Sequence, residues 1–289
     1  MVNKVALVTG SNQGIGFAIV EELLKRGVET VYITTRNEQR GRDAVEKLKA
    51  KGLNPYFHQL DVTESKSVKK CADYVKLQHG GLDILVNNAA ITVENFEETS
   101  YEDAVRVLNT NYFGILTIQE HFFPILKLDA RVVNISSDCG HISNIRNQDW
   151  IARLTIKDVK RADVDEFVSW FLNSVKTKTL KPEDFYQTEL LAYRISKIAV
   201  SALTVAQQNE IDRNISVNSI HPGFVQTSMT RGSGIFTLEE SSKAPAYLAL
   251  DVDQSVKGQY FWFDKEIKDW RNPDLPLHCD YEMLKNYWQ

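Results

Sequence analysis

Cysteine is scarce in this chain. Cys71, Cys139 and Cys279 are scattered over 289 residues with no metal-type spacing and no even framework, so no disulfide scaffold and no metal site is expected. Reduced thiols suit a cytoplasmic setting. No apolar run approaches the ~18 residues of a spanning helix, and the N-terminus enters a strand pattern almost at once, leaving no room for a signal peptide. Neither sign of charge dominates: a net charge of -4 and a pI near 5.9 give no electrostatic reason to expect nucleic acid or an anionic membrane as partner. Internal repeats, low-complexity segments and linkers are also missing. What remains is an ordinary globular composition, 43% hydrophobic and 25% charged, of a length that suits one large α/β domain or two small ones.

The apolar runs are short and alternate with helical patterns. Lys4 to Thr9 reads as a strand buried on both faces. It meets Gly10-Ser-Asn12-Gln13-Gly14-Ile15-Gly16, and an amphipathic pattern follows to Gly27. Strand, glycine turn and helix in that order form the context of a dinucleotide site, in which the glycines permit close backbone approach and the helix start offers N–H groups to a pyrophosphate. Thr30 to Thr35 reads as a second strand. An NAD site usually carries an acid near its end, ~20 residues past the glycines. Arg36 stands there instead, with Arg40 one turn further on, which suits a 2′-phosphate. Further strands are expected at Pro55 to Leu60 (ending at Asp61-Val62), Leu82 to Val86 (running into Asn87-Asn88-Ala89-Ala90), Arg131 to Ile135, Ser216 to Ile220 and Gln259 to Phe263. Helices lie between them, and residues 264–289 read as a tail on the surface. The alternation predicts one parallel, doubly wound sheet.

Three features stand out against this frame. Asn111 is a polar residue among Leu108, Tyr112 and Phe113 in a helical stretch, either a satisfied core amide or part of a site. Ser136 and Ser137 follow a strand, at the sheet edge where such folds bind ligands. Glu189 to Ser201 is helical by its apolar spacing, and Tyr193 and Lys197 lie one turn apart on one face of it. Tyr and Lys ordinarily titrate near ~10 and ~10.4. A cation beside a phenol favours the phenolate and moves it towards neutral pH, where it can serve as acid or base.

These motifs, Thr9-Gly-x-x-x-Gly-Ile-Gly16, Asn87-Asn-Ala-Ala90, Asn111, Val133-Asn-Ile-Ser-Ser137, Tyr193-x-x-x-Lys197 and Pro222-Gly223, occur in the order of the short-chain dehydrogenases/reductases. The resemblance covers residues 2 to about 263 and is strongest to the carbonyl reductases of animals, through Val5-Ala-Leu-Val-Thr-Gly10, Phe57-His-Gln-Leu-Asp61 and Gly81-Leu-Asp-Ile-Leu-Val-Asn-Asn88. The chain departs at Ala90, where the motif has glycine, and at Gln13, where those reductases often have a lysine. The resemblance implies a Rossmann fold and NADPH-dependent reduction of ketones, aldehydes and quinones. A hydroxysteroid or prostaglandin alcohol dehydrogenase, or a non-catalytic NADPH-binding regulator, are the alternatives. It also implies the roles. Tyr193 is the proton donor. Lys197 lowers the Tyr pKa and bonds the nicotinamide ribose. Ser137, ahead of Ser136, holds the substrate oxygen, and Asn111 anchors a water chain to Lys197. Val225 and Thr227, after Pro222-Gly223, meet the nicotinamide amide. Asp61-Val62 and Asn88 meet the adenine side.

Cys139, His141, Trp150, Phe224 and the insert are candidates to line the substrate pocket, with Cys139 at its mouth. Ser137 and Tyr193 lie much further apart than in most members of the family, so a helical insert of about 142–188 is expected within a single domain. Within it Val164, Phe167, Val168, Phe171, Leu172 and Val175 form an apolar stripe that Asp163 can cap. An insert helix just before Tyr193 is placed to cover the surface that forms a subunit interface elsewhere in the family, so a monomer is expected.

Overall fold

The computed structural model describes residues 4–95 and 97–274. In chain order the regular elements are β1 (Val5–Val8), α1 (Gly14–Lys25), β2 (Thr30–Thr35), α2 (Glu38–Lys49), β3 (Tyr56–Gln59), α3 (Ser65–His79), β4 (Leu82–Asn87), α4 (Tyr101–Leu108), α5 (Gly114–Phe122), β5 (Leu126–Ile135), α6 (Gln148–Leu154), α7 (Arg161–Thr177), α8 (Leu191–Glu210), β6 (Ser216–Ile220), α9 (Leu238–Leu250), β7 (Tyr260–Phe261) and β8 (Ile267–Lys268).

The strands form one sheet in the order β3-β2-β1-β4-β5-β6-β7-β8. All neighbours are parallel except the last pair. Every residue of β1, β2 and β6 is buried, as continuous apolar strands with helices on both faces must be. The strand order reverses between β1 and β4, so the loops after these two strands part and leave a crevice at the carboxyl edge. Asn134 on β5 sits in a buried amide chain: it accepts from Asn87 Nδ2 and donates to Thr204 Oγ1 and Gln207 Oε1 on α8.

The insert is helical, as its spacing predicts. Val164, Phe167, Val168 and Phe171 of α7 are fully buried, and Leu172 and Val175 are partly so, in the cluster that also holds Ile195, Ala199 and Leu203 of α8 and Leu108 of α4. Burying each large apolar side chain is worth up to about 1.5–3 kcal/mol, so the stripe is a substantial part of this half of the core. Asp163 does not cap α7 from outside: Lys160 is the N-cap, and Asp163 lies in the first turn, accepting the Lys160 N–H at 3.0 Å.

The expected surface tail differs in its first part. Ile267–Lys268 adds β8 antiparallel to β7, and Trp270 is 3% exposed. Its carbonyl accepts the Ile142 N–H, while Asp269 O meets His141 Nε2. One large aromatic to bury and two backbone bonds outweigh the polar composition that reads as a tail. The rest of the tail, with Cys279, lies outside the described residues.

Candidate active site

A cleft of about 380 Å³ runs along the carboxyl edge of the sheet. Its floor begins at the glycine turn. Gly10 and Gly14 have φ of +59° and +61°, a conformation that favours glycine. Asn12, Gln13, Gly14 and Ile15 line the cleft. Gly16 does not line it but lies behind, where a Cβ would come within 2.4 Å of Asn88 Nδ2. Asn88 holds the turn from below, donating both amide hydrogens to the Thr9 and Gly10 carbonyls at 2.9 and 3.0 Å. Its backbone N–H is fixed by Thr9 Oγ1.

Arg36 and Arg40 form the outer end of the cleft. Both are exposed, and neither pairs with a carboxylate of a described residue. Asn37, the N-cap of α2, accepts the Arg40 N–H. Asp61 and Val62 line the middle. The Asp61 carboxylate is turned on its own loop, accepting from the backbone and hydroxyl of Thr63. Across the cleft come Pro222, Gly223, Phe224, Val225 and Thr227. This loop is folded on itself: the Ile235 and Phe236 N–H groups both reach Phe224 O, and Thr230 Oγ1 donates to Val225 O.

The inner end brings together Ser137, Tyr193 and Lys197 from the end of β5 and the first two turns of α8. Lys197 is 3% exposed. Its Nζ donates to Ile135 O at 2.7 Å and lies 5.5 Å from the Tyr193 ring centroid. Burial lowers its pKa from 10.5 to about 8, so the ammonium still predominates at neutral pH. Ser136 lines the cleft too, but its hydroxyl is bonded to Lys197 O and Ser201 Oγ and fastens the strand to the helix. Ser137 Oγ donates to Asp138 Oδ1 at 2.7 Å.

Asn111 is buried and does not line the cleft. It sits in a π-turn, Asn109–Phe113, between α4 and α5, a device that often marks functional sites. Both amide hydrogens are used: Nδ2 donates to Ile91 O and Ser196 Oγ, and Oδ1 accepts from Ile91 N. It pins the loop after β4 to α8.

Of the substrate-side candidates, Cys139 and Phe224 line the cleft. Cys139 is not at the mouth: it is 7% exposed, and burial, helped by the Asp138 charge, pushes its thiol up to about 11. His141 is buried between Ser143 Oγ and Asp269 O, and Trp150 packs on Phe167 and Trp170, both away from the cleft. Three further lining residues, Asp138, Leu190 and Arg194, carry no sequence signal of their own. Leu190 precedes α8 with φ +56°. Arg194 is 2% exposed and gives its donors to Glu189 O, Asn144 Oδ1 and Gln187 Oε1, which come from both ends of the insert.

The carbonyl reductase (NADPH) 3 of Mus musculus is 36% identical over 277 residues, covering 93% of this chain and 99% of the relative. The (+)-neomenthol dehydrogenase of Arabidopsis thaliana is 33% identical over 296 residues, 92% of this chain and 98% of the relative. Among solved structures, salutaridine reductase from Papaver somniferum superposes with a TM-score of 0.82 at 32% identity, over 90% of this chain and 99% of that one. The sequence pattern of the short chain dehydrogenases matches residues 4–150, and with these relatives spanning nearly the whole chain, the protein belongs to the short-chain dehydrogenase/reductase family.

Proposed function

We propose that the protein is an NADPH-dependent carbonyl reductase that converts ketones, aldehydes and quinones to alcohols. The observation that carries the reading is the convergence of Ser137, Tyr193 and the buried Lys197 at one end of a cleft whose other end presents Arg36 and Arg40. The residues fit the cofactor: the glycine turn leaves room for close approach, and two guanidinium groups without a carboxylate partner among the described residues suit the 2′-phosphate that distinguishes NADPH. When bound, the cofactor supplies a hydride to the carbonyl carbon. The chain's own groups then manage the oxygen. Tyr193 gives it a proton, Ser137 donates a hydrogen bond to the charge developing on it, and the Lys197 ammonium beside the Tyr193 ring stabilises the phenolate left behind. Val225 and Thr227 face the nicotinamide end; Asp61, Val62 and Asn88 face the adenine end. The π-turn carbonyl of Asn111 is the anchor for water feeding protons towards Lys197.

The test is loss of NADPH absorbance with a panel of ketones, aldehydes and quinones. Tyr193→Phe is expected to bind NADPH normally and lose nearly all turnover; retention of most of kcat sinks the mechanism. We further propose a cytoplasmic monomer. The two described cysteines, Cys71 and Cys139, are free thiols, as a reducing compartment allows. The stripe of α7 is covered by the chain's own α4 and α8, which removes the need for a partner subunit there.

A further inference from the structure

Ser137 has one proton to give, and its neighbour receives it. The hydroxyl donates to Asp138 Oδ1 at 2.7 Å and accepts, at 3.2 Å, from Cys139 N, which also donates to Asp138 Oδ1 at 2.9 Å. This small turn is buried: Ser137 is 9% and Asp138 4% exposed. It is held from outside by Tyr260 OH on Ser137 O and by Asn144 Nδ2 on Asp138 O. In this arrangement Ser137 has a lone pair, not a proton, left for the cleft. A carbonyl oxygen entering there meets another acceptor and gains a second donor only if the hydroxyl leaves the carboxylate. Around it, His221 Nδ1 lies 3.8 Å from Asp138 Oδ1, and Arg194 and Lys197 line the same end of the cleft from α8.

We propose that Asp138 is a positioning residue that restrains Ser137, holding its proton away from the substrate oxygen, so that weakening this one bond speeds carbonyl reduction. The idea depends on the role of Ser137 under the function proposed above. A bond to a charged acceptor is roughly twice as strong as one to a neutral acceptor. Asp138→Asn keeps the shape and the Cys139 N–H contact but removes the charge. It is expected to raise kcat for ketone reduction roughly five- to tenfold. KM should stay within about twofold, because the released donor acts on charge that develops only in the transition state. Asp138→Ser, short enough to keep the turn, carries the same expectation should the Asn variant not fold.

The pathway through Ser137 is read by a double-mutant cycle. Ser137→Ala should cost more in the Asp138→Asn background than in the wild type, and Asp138→Asn should give no acceleration once Ser137 is Ala. A merely structural Asp138 would lower kcat in both variants, with Ser137→Ala costing the same factor in each background. That result, or an acceleration that persists without Ser137, overturns the proposal. The function itself is read on the same preparations. A wild type that reduces ketones and loses that activity as Tyr193→Phe, yet is not accelerated by Asp138→Asn, refutes only the restraint; a wild type inert to every carbonyl in the panel overturns both.

Discussion

Deprotonating Lys197 should stabilise the native state, and the size of the effect follows from its burial. In the unfolded chain its ammonium holds a proton up to about pH 10.5; in the fold it releases it near pH 8. Below pH 8 the fold carries the whole cost of burying the charge, roughly 3 kcal/mol at about 1.4 kcal/mol for each pH unit that separates the two titrations. Between pH 8 and 10.5 the unfolded state binds more protons than the native state, so stability rises with pH there and the cost is gone by the upper limit. Lys197→Met removes the charge at every pH. It also strands the Ile135 carbonyl, which Lys197 Nζ meets at 2.7 Å, but that loss of about 1–3 kcal/mol does not depend on pH. The informative quantity is therefore the difference in unfolding free energy between wild type and Lys197→Met, from urea titrations at intervals from about pH 7.5 to 10.5. It should move in favour of the wild type by about 3 kcal/mol over that range, at no more than about 1.4 kcal/mol per pH unit. Making both proteins in a Tyr193→Phe background removes the titration of the neighbouring phenol. A difference that stays flat would refute the burial argument and place the ammonium in contact with water.

Arg36→Asp should shift the ratio of kcat/KM from NADPH towards NADH by roughly ten- to hundredfold, the worth of a charge-assisted bond to phosphate; equal kcat/KM for both cofactors in the unmodified protein counts against the 2′-phosphate role. Phe171, fully buried in the α7 stripe, should cost about 3–5 kcal/mol when changed to Ala, and a loss under about 1 kcal/mol in urea unfolding would mean that the helix is not part of the core. Sedimentation at micromolar concentration should give a mass near 33.0 kDa, and a stable value of twice that excludes the monomer. Cys139, with its thiol pushed up to about 11, should resist alkylation in the folded enzyme near pH 8; rapid modification found there by peptide mapping would show that the buried end of the cleft opens.

The chemistry that the sequence shows is the chemistry that sits on single elements. Tyr193 and Lys197 are one turn apart on α8, the glycine turn is continuous, and Ser137 follows a strand, so each is legible from local order alone. Arg36 is legible by contrast, as a base where an acid is usual. What escapes such reading depends on folding back. Asp138 gains meaning only because the turn after Ser137 aims both side chains at one point. Arg194 takes partners from residues 144, 187 and 189, and β8 is held by contacts far away in the sequence. Cys139 is misread for the same reason: two residues past Ser137 reads as the mouth of the pocket, whereas the turn leaves it lining the cleft but buried. His141 and Trp150 follow suit, one turned towards Asp269 and the other into the insert's aromatic cluster.

The way Arg194 is held bears on how this enzyme could be re-engineered or could diverge. Its guanidinium lies one residue from Tyr193, and amide and carbonyl oxygens flanking the insert receive its N–H groups. The insert is therefore not a cassette. A transplanted segment without oxygen acceptors at the positions of Asn144 and Gln187 would leave a buried charge without those partners, a fault of up to roughly 3–5 kcal/mol placed in the first turn of α8. Exchange of substrate range by loop grafting should succeed only when both ends of the graft keep those acceptors, or when Arg194 is replaced in the same step by an apolar residue of similar volume. Natural lineages that altered the insert would face the same constraint, so changes at 144, 187 and 194 should travel together.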